Sequence, residues 1–124
     1  MSETFSKRER LCSRKAIEQL YRSPRHWVCY PWAVYWDFAE GGEAPVQVLI
    51  ATSKRRFKHA VDRNRVKRVT RECYRRQKQQ LYDTLGNRHI LLGLSYIGDE
   101  LPVWDMATSK MQRLLQRLIK EVGE

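Results

Sequence analysis

The sequence has no apolar run long enough to span a membrane, and its first residues, MSETFSKRERL, lack the hydrophobic stretch of a signal peptide. These absences predict a cytoplasmic protein. Glycine and proline are scarce, with six and four residues, and no low-complexity segment is present. Such a composition is typical of a folded chain, and a length of 124 residues indicates one domain covering 1–124. Within it, we expect the basic N-terminal segment 1–12 to be partly flexible.

The sequence also has few residues that could form a catalytic or metal site. Its three cysteines are widely spaced without a CxxC pair, which argues against zinc. A protein nuclease would need clustered carboxylates or a histidine pair. His26, His59 and His89 are scattered along the chain. Asp62 and Glu72, the two acids within the basic stretch at 54–78, are ten residues apart. We therefore predict no catalytic residue, no metal ligand and no cofactor bound by the protein.

Positive charge is abundant and concentrated in one region. Residues 54–78 contain 12 Lys and Arg against Asp62 and Glu72, so this region carries the whole net charge of +10. A second, smaller basic region lies in residues 7–25, with seven basic residues against Glu9 and Glu18. Charge concentrated in this way attracts polyanions, chiefly nucleic acid or an anionic membrane.

The hydrophobic pattern predicts an α+β domain in the order α-β-(β)-β-α-β-α, with helices over one mixed sheet. Ser13 is the predicted N-cap of the first helix. The two strands before the basic helix are expected to form a hairpin. The predicted helices cover 14–21, 60–81 and 105–122, and the predicted strands cover 29–38, 46–53 and 89–96, with residues 25–29 as a further short strand.

The two faces of the strand at 29–38 differ in character. One face carries only bulky residues and is the predicted core face, formed by Tyr30, Trp32, Val34, Trp36 and Phe38. The other face is small and partly polar, and Tyr35 is its one large aromatic side chain. We expect this second face to be open to solvent or to a ligand.

The basic helix separates into two faces at about 100° per residue. A predicted core-facing stripe holds Val61, Val66, Val69 and Cys73. The opposite arc holds Asn64 and six basic residues: Arg63, Lys67, Arg68, Arg71, Arg75 and Lys78. On the same wheel Arg65 and Arg76 fall on the core-facing side, where Asp62 and Glu72 are their expected partners.

Four interpretations of this arc compete: a solvated face, a membrane surface, DNA and RNA. A solvated helix face would normally mix charge signs, whereas like charges at i,i+4 destabilise a helix by about 0.2–0.5 kcal/mol per pair. The narrow, β-branched apolar face argues against a membrane-surface helix. No second helix is placed for a helix-turn-helix, which argues against DNA. RNA is the favoured partner, and a ribosomal or general RNA-binding protein remains an alternative.

One block of the sequence resembles the signature of the bacterial ribonuclease P protein subunit, known as the RNR motif. It begins with Ser53-Lys54-Arg55 at a strand end, and Arg8-x-Arg10-Leu11 near the N-terminus also fits. The matching helix positions are Ala60, Val61, Arg63, Asn64, Arg65, Val66, Lys67, Arg68, Arg71 and Glu72.

The resemblance implies a sandwich like the second domain of ribosomal protein S5, with a left-handed βαβ crossover. It implies a hydrolase, an endonuclease that removes the 5′ leader from precursor tRNA, in which a catalytic RNA with bound Mg²⁺ performs the reaction. The protein would be a monomer bound 1:1 to that RNA.

The resemblance also implies two sets of binding residues. Ile17 stands where the family usually has Phe, so Tyr21 and Tyr35 carry more weight for stacking. The residues implied to bind the catalytic RNA are Arg63, Asn64, Arg65, Lys67, Arg68, Arg71 and Arg75, and those implied to bind the leader or tRNA are Ile17, Tyr21, Ala33, Tyr35, Lys54 and Arg55.

Overall fold

The computed structural model of the protein describes residues 7–41 and 44–123 and confirms the predicted α+β class. A 3-10 turn at Lys7–Glu9 precedes the regular elements. These are α1 (Arg14–Arg22), β1 (His26–Cys29), β2 (Trp32–Ala39), β3 (Val46–Ala51), α2 (Ala60–Gln77), α3 (Gln79–Leu85), β4 (His89–Tyr96) and α4 (Trp104–Gly123). No helix in this part of the chain is both long enough and apolar enough to cross a bilayer.

The sheet order is β1-β2-β4-β3, so the predicted hairpin between the two strands before the basic helix is wrong. β4 lies between β2 and β3, antiparallel to β2 and parallel to β3. Residues 90–94 of β4 are all buried, so both faces of this strand are covered. A strand that is buried on both faces is favoured at the centre of a sheet, which is where β4 lies. The hairpin in the structure joins β1 to β2 through Tyr30 and a cis Pro31.

The core lies between one face of the sheet and the helices α2, α3 and α4. Trp32, Val34 and Trp36 of β2 are buried there, as predicted. Tyr30 and Phe38 are exposed, so their predicted place in the core is wrong. Tyr30 lies in the turn before β2, and Phe38 lies near the end of the strand, outside the part that is fully buried.

The inward face of α2 differs in part from the predicted stripe. Val66 and Cys73 are buried, but Val61 is 77% exposed and does not belong to the core. Thr70 and Tyr74 are fully buried in its place. The helix is therefore turned toward Thr70 and Tyr74 relative to the orientation expected from the apolar residues alone.

Two other helices agree with the sequence prediction. Ser13 caps α1, and its hydroxyl accepts a hydrogen bond from the Ala16 N–H at 3.3 Å. In α4 the buried residues repeat at helical spacing and face the sheet: Ala107, Met111, Leu114, Leu115, Leu118 and Val122.

Helix α1 lies on the opposite face of the sheet and packs closely at Gly93. A Cβ atom on Gly93 would come within 2.9 Å of Leu20 Cδ2, so only glycine permits this approach without displacement. Leu20 is fully buried and packs with Leu91 and Leu11. Helix α1 therefore covers only part of this face.

The N-terminal segment runs along the edge of the sheet. Arg10 forms a parallel bridge with Val48 of β3, and the Leu11 N–H donates to the Val48 carbonyl at 2.9 Å. Residues 1–6 of the segment expected to be flexible lie outside the described residues. Glu9 is buried and accepts hydrogen bonds from the Lys78 ammonium and the Tyr82 hydroxyl.

Candidate nucleic-acid interface

Three aromatic rings meet on the open face of the sheet. The rings of Tyr21 in α1 and Tyr35 in β2 have centroids 5.0 Å apart in an edge-to-face arrangement. His26 of β1 places a third ring 5.7 Å from Tyr35. Tyr21 and His26 are exposed and Tyr35 is half-buried, so solvent reaches these rings. We call the surface that carries Tyr21, His26 and Tyr35, between α1 and the β1–β2 hairpin, the cleft.

Two more of the predicted leader residues lie on this face. Ile17 is half-buried and packs against the cluster formed by Leu20 and Leu91, so it helps to seat α1 on the sheet. Ala33 is half-buried and pairs with Ser95 of β4. The structure therefore brings Ile17, Tyr21, Ala33 and Tyr35 to one surface, as the strand pattern predicts for Tyr35.

Lys54 and Arg55 lie in the connection from β3 to α2, and both are exposed. The Arg55 N–H donates to Ser53 Oγ at 3.0 Å, which forms a turn directly after the strand. Ala51 pairs with Ser95, and Ser95 pairs with Ala33. Lys54 and Arg55 therefore leave the sheet at the same end as Ala33, two strands away.

A groove runs along the outer edge of β3 and links the N-terminal segment to α2. It has a volume of about 280 Å³ and combines apolar side chains with three cations. We call it the edge groove, and it is lined by Arg10, Leu11, Cys12, Lys67, Arg71 and residues 48–50. Lys67 and Arg71 of α2 thus lie beside the strand that borders the open face.

Arg63 organises the loop before α2. Its guanidinium donates to the Phe57 carbonyl at 2.8 Å and to the Lys58 carbonyl at 2.9 Å. Phe57 is buried and its ring lies 6.0 Å from Tyr96. Arg63 therefore fixes the basic loop between β3 and α2 to the body of the protein.

Arg75 forms an ion pair with Glu72 within α2. The two guanidinium–carboxylate contacts measure 3.0 and 2.9 Å. The hydrogen bonds from Arg75 outweigh partial burial and lower the pKa of the Glu72 carboxyl. The expected pairing of Glu72 with Arg76 is wrong, because the Arg76 guanidinium lies over the ring of Trp104 instead, 5.3 Å from its centroid.

Two further residues of α2 and its end lie elsewhere than the helical wheel predicts. Arg65 is exposed, because the buried face is centred on Thr70 and Tyr74 and not on Val69. Lys78 is buried and paired with Glu9, so it does not belong to the exposed arc. Five residues form what we call the α2 surface: Asn64, Arg65, Lys67, Arg68 and Arg71.

Three contacts of the candidate interface are not predicted from the sequence. The sequence shows His26 only as an isolated histidine, because its ring contact with Tyr35 depends on the β1–β2 hairpin register, in which the two residues are paired. Arg10 reaches the edge groove through its bridge to Val48. Trp104 meets Arg76 across two helices. Each contact joins residues distant in sequence or separated by a turn, so no local pattern predicts it.

The chain thus has exposed aromatic rings on one face of the sheet and a basic helix on the other. Stacking rings and phosphate-binding cations together are typical of proteins that bind single-stranded nucleic acid.

Comparison with known proteins identifies the family. The family model described as Ribonuclease P matches residues 5–120. The ribonuclease P protein component of Porphyromonas gingivalis is 37% identical over 121 residues, which cover 95% of this chain and 88% of that protein. That of Chlorobium phaeobacteroides is 37% identical over 82 residues, covering 59% of this chain and 56% of the relative. The chain belongs to the ribonuclease P protein component family.

The fold is similar to that of the Staphylococcus aureus RNase P protein. The TM-score is 0.61 at 22% identity, and the match covers 93% of this chain and 95% of the other. At this level of identity the likeness supports the fold alone.

Proposed function

We propose that this chain is the protein subunit of ribonuclease P and assists removal of the 5′ leader from precursor tRNA. The observation that carries the proposal is the match of the family model to residues 5–120. In the proposed complex the α2 surface binds the catalytic RNA, and the cleft binds the single-stranded leader. One protein monomer serves one RNA, in the cytoplasm.

The cleft suits a leader because its rings can stack on bases of any sequence. Stacking of a base on an aromatic side chain contributes about 1–3 kcal/mol and tolerates all four bases. The rings of Tyr21 and Tyr35 are partly open to solvent, while Ile17 packs between α1 and the sheet and has no ring. The exposed Lys54 and Arg55 lie at the end of the sheet where a leader leaving Ala33 would pass.

The α2 surface suits a folded RNA because its cations project from a rigid helix. Arg68 and Arg65 are exposed and can bind phosphates directly. Arg63 already donates to backbone carbonyls, and Arg75 already pairs with Glu72. We therefore assign both residues to shaping the α2 surface and to contacting the RNA at the edge of that surface.

Catalysis in this proposal belongs to the RNA. Among residues 7–41 and 44–123, no three His, Cys, Asp or Glu side chains lie close enough together to hold a metal ion. The proposal assigns the metal ions of the reaction to the RNA, and no step of it passes through a metal held by the protein. The protein's part is to bind and orient the two RNAs.

A reconstitution assay tests the proposal. Precursor tRNA is incubated at low Mg²⁺ with the protein alone, with the cognate RNA subunit alone, and with both. We expect no cleavage by the protein alone and faster cleavage by both than by the RNA alone. Equal rates with and without protein would overturn the proposal and favour a ribosomal or general RNA-binding role.

The leader site is tested by Tyr35→Ala, with Tyr30→Ala as a matched control because Tyr30 is an exposed tyrosine in the turn before β2. Tyr35→Ala should weaken binding of precursor tRNA by the complex by about 1–3 kcal/mol, because one base loses its stacking partner. Binding of leaderless tRNA should be unchanged. Equal losses for both tRNAs would place Tyr35 outside the leader site.

The α2 surface is tested by Arg68→Ala in binding to the RNA subunit over a series of salt concentrations. We expect weaker binding and a salt slope reduced by about 0.7–0.9, since one phosphate contact is lost. Arg56→Ala serves as the control, because Arg56 already pairs with Asp99 at 2.7 Å. An unchanged slope would show that Arg68 touches no phosphate.

A further inference from the structure

Trp104, the first residue of α4, forms a platform with a cation from α2. The Arg76 guanidinium lies over the indole, 5.3 Å from the ring centroid. Trp104 is 40% exposed and Arg76 is also exposed. The pair therefore presents an aromatic ring and a planar cation to solvent at the same place.

The core does not account for the position of this tryptophan. The buried residues of α4 begin at Ala107, almost one turn after Trp104. Its neighbours Val103 and Met106 are largely exposed. A cluster of exposed apolar side chains on a folded surface usually marks a binding site.

The platform shares helix α2 with the α2 surface, and Arg76 lies about three turns beyond Arg65. Helical periodicity places Arg65 and Arg76 on the same side of α2, within about 20° of each other. Two acids lie on this side: Asp62, near the start of the helix, and Glu72, whose carboxylate accepts hydrogen bonds from Arg75. The group that lies on the indole is the Arg76 cation, which favours a polyanion over an apolar protein partner.

We propose that the Arg76–Trp104 platform stacks an unpaired base of the catalytic RNA, with Arg76 also binding a neighbouring phosphate. The inference rests on the proposed function, because it extends the RNA contact of α2 onto α4. An indole and a guanidinium both have flat faces that can stack on a base, and here the two lie together. This site lies on the helical side of the sheet and is separate from the cleft.

The test measures binding of the RNA subunit by Trp104→Leu and Trp104→Phe. Leu keeps an apolar side chain without a ring, and Phe keeps a ring. We expect Trp104→Leu to weaken binding roughly five- to hundredfold with an unchanged salt slope, and Trp104→Phe to bind close to wild type. Arg76→Gln should reduce the salt slope by about 0.7–0.9.

Two further measurements separate stacking from a structural role. RNA should quench the tryptophan fluorescence of the wild type more than that of Trp104→Phe, because a base stacks on the exposed indole. Thermal unfolding by circular dichroism reports whether each variant is folded. If Trp104→Leu is unfolded, Trp104→Phe and Arg76→Gln still test the site.

Each outcome decides between the inference and the proposed function. The inference would be overturned if all three variants matched the wild type in their affinity for the RNA subunit, in the salt slope of binding and in the quenching of tryptophan fluorescence. The proposed function would still stand. That result would also be expected if Val103, Trp104 and Met106 docked a protein. Failure of the wild type itself to bind the RNA subunit would overturn the proposed function, and the inference with it.

Discussion

Replacing Lys78 by Met should destabilise the protein far more than breaking an exposed ion pair. The side chains of Lys78 and Glu9 are only 4% and 8% exposed, and the Tyr82 hydroxyl donates to the same carboxylate oxygen that accepts from Lys78. Removing one partner of a buried pair costs about 3–5 kcal/mol, since the other charge stays buried. We expect about 3 kcal/mol, the lower end, because Tyr82 still donates to Glu9.

A double change separates the pair from its individual groups. In Glu9→Leu with Lys78→Met both charges are gone, and replacing a buried ion pair by apolar side chains is often neutral or stabilising. Tyr82 then loses its acceptor, which costs about 1–3 kcal/mol. We therefore expect the double variant to be no less stable than Lys78→Met alone, so the effects of the two single changes should not add.

Urea unfolding followed by circular dichroism gives the free energies of unfolding. Arg56→Met is the matched control, because Arg56 pairs with Asp99 at 2.7 Å on the surface and such pairs contribute about 0–1 kcal/mol. If Lys78→Met costs no more than Arg56→Met, the argument from burial is wrong. If the two single changes add in the double variant, Lys78 and Glu9 do not act as a pair.

Two other predictions concern the packing of the sheet. Gly93→Ala should lower the free energy of unfolding by about 1–3 kcal/mol, because its Cβ would lie 2.9 Å from Leu20 Cδ2. Denaturant unfolding measures this change. An unchanged midpoint would mean that α1 shifts to accommodate the methyl group without cost. Burial raises the pKa of Glu121, but N–H donors including Trp36 and Arg117 outweigh it and lower the pKa below 4.5. A carboxyl with a depressed pKa stabilises the fold above about pH 4.5 and loses that contribution as the pH falls. Glu121→Gln should therefore be less stable at pH 7 and flatter in an acid titration of stability, and parallel acid profiles for the two proteins would contradict the assignment.

Local periodicity predicted the first and last helices and failed for the order of the strands. The single helix predicted for 60–81 is wrong in its extent, because α2 ends at Gln77 and α3 begins at Gln79. Ser13 as a cap and the apolar repeat of α4 depend on residues within one or two turns, and the structure confirms both. The partners of a strand depend on the whole sheet. Residues 90–94 are apolar nearly throughout, which indicates a central strand, but this signal was not enough to exclude a hairpin between β2 and β3.

The orientation of α2 was predicted only in part, because its core face is not purely apolar. The Trp32 indole N–H donates to Thr70 Oγ1 at 3.1 Å, and the Thr70 hydroxyl donates to the Val66 carbonyl at 2.9 Å. These bonds let a polar threonine occupy the centre of the buried face. A helical wheel built on the three valines and Cys73 therefore predicts that Arg65 and Val61 face the core, whereas both are exposed.

The parallel pairing of β3 and β4 explains why the two candidate RNA-binding surfaces lie on opposite sides of the sheet. Parallel neighbours require a crossover, which here is formed by α2 and α3 and packs on the face away from α1. The cleft and the α2 surface are therefore separated by the thickness of the sheet. Because β3 is the edge strand, an RNA that contacts both surfaces on this side has to pass the edge groove, where Arg10, Lys67 and Arg71 lie. The buried Glu9–Lys78 ion pair holds the N-terminal segment that supplies Arg10. Losing this pair should therefore weaken RNA binding at the edge groove as well as destabilise the fold.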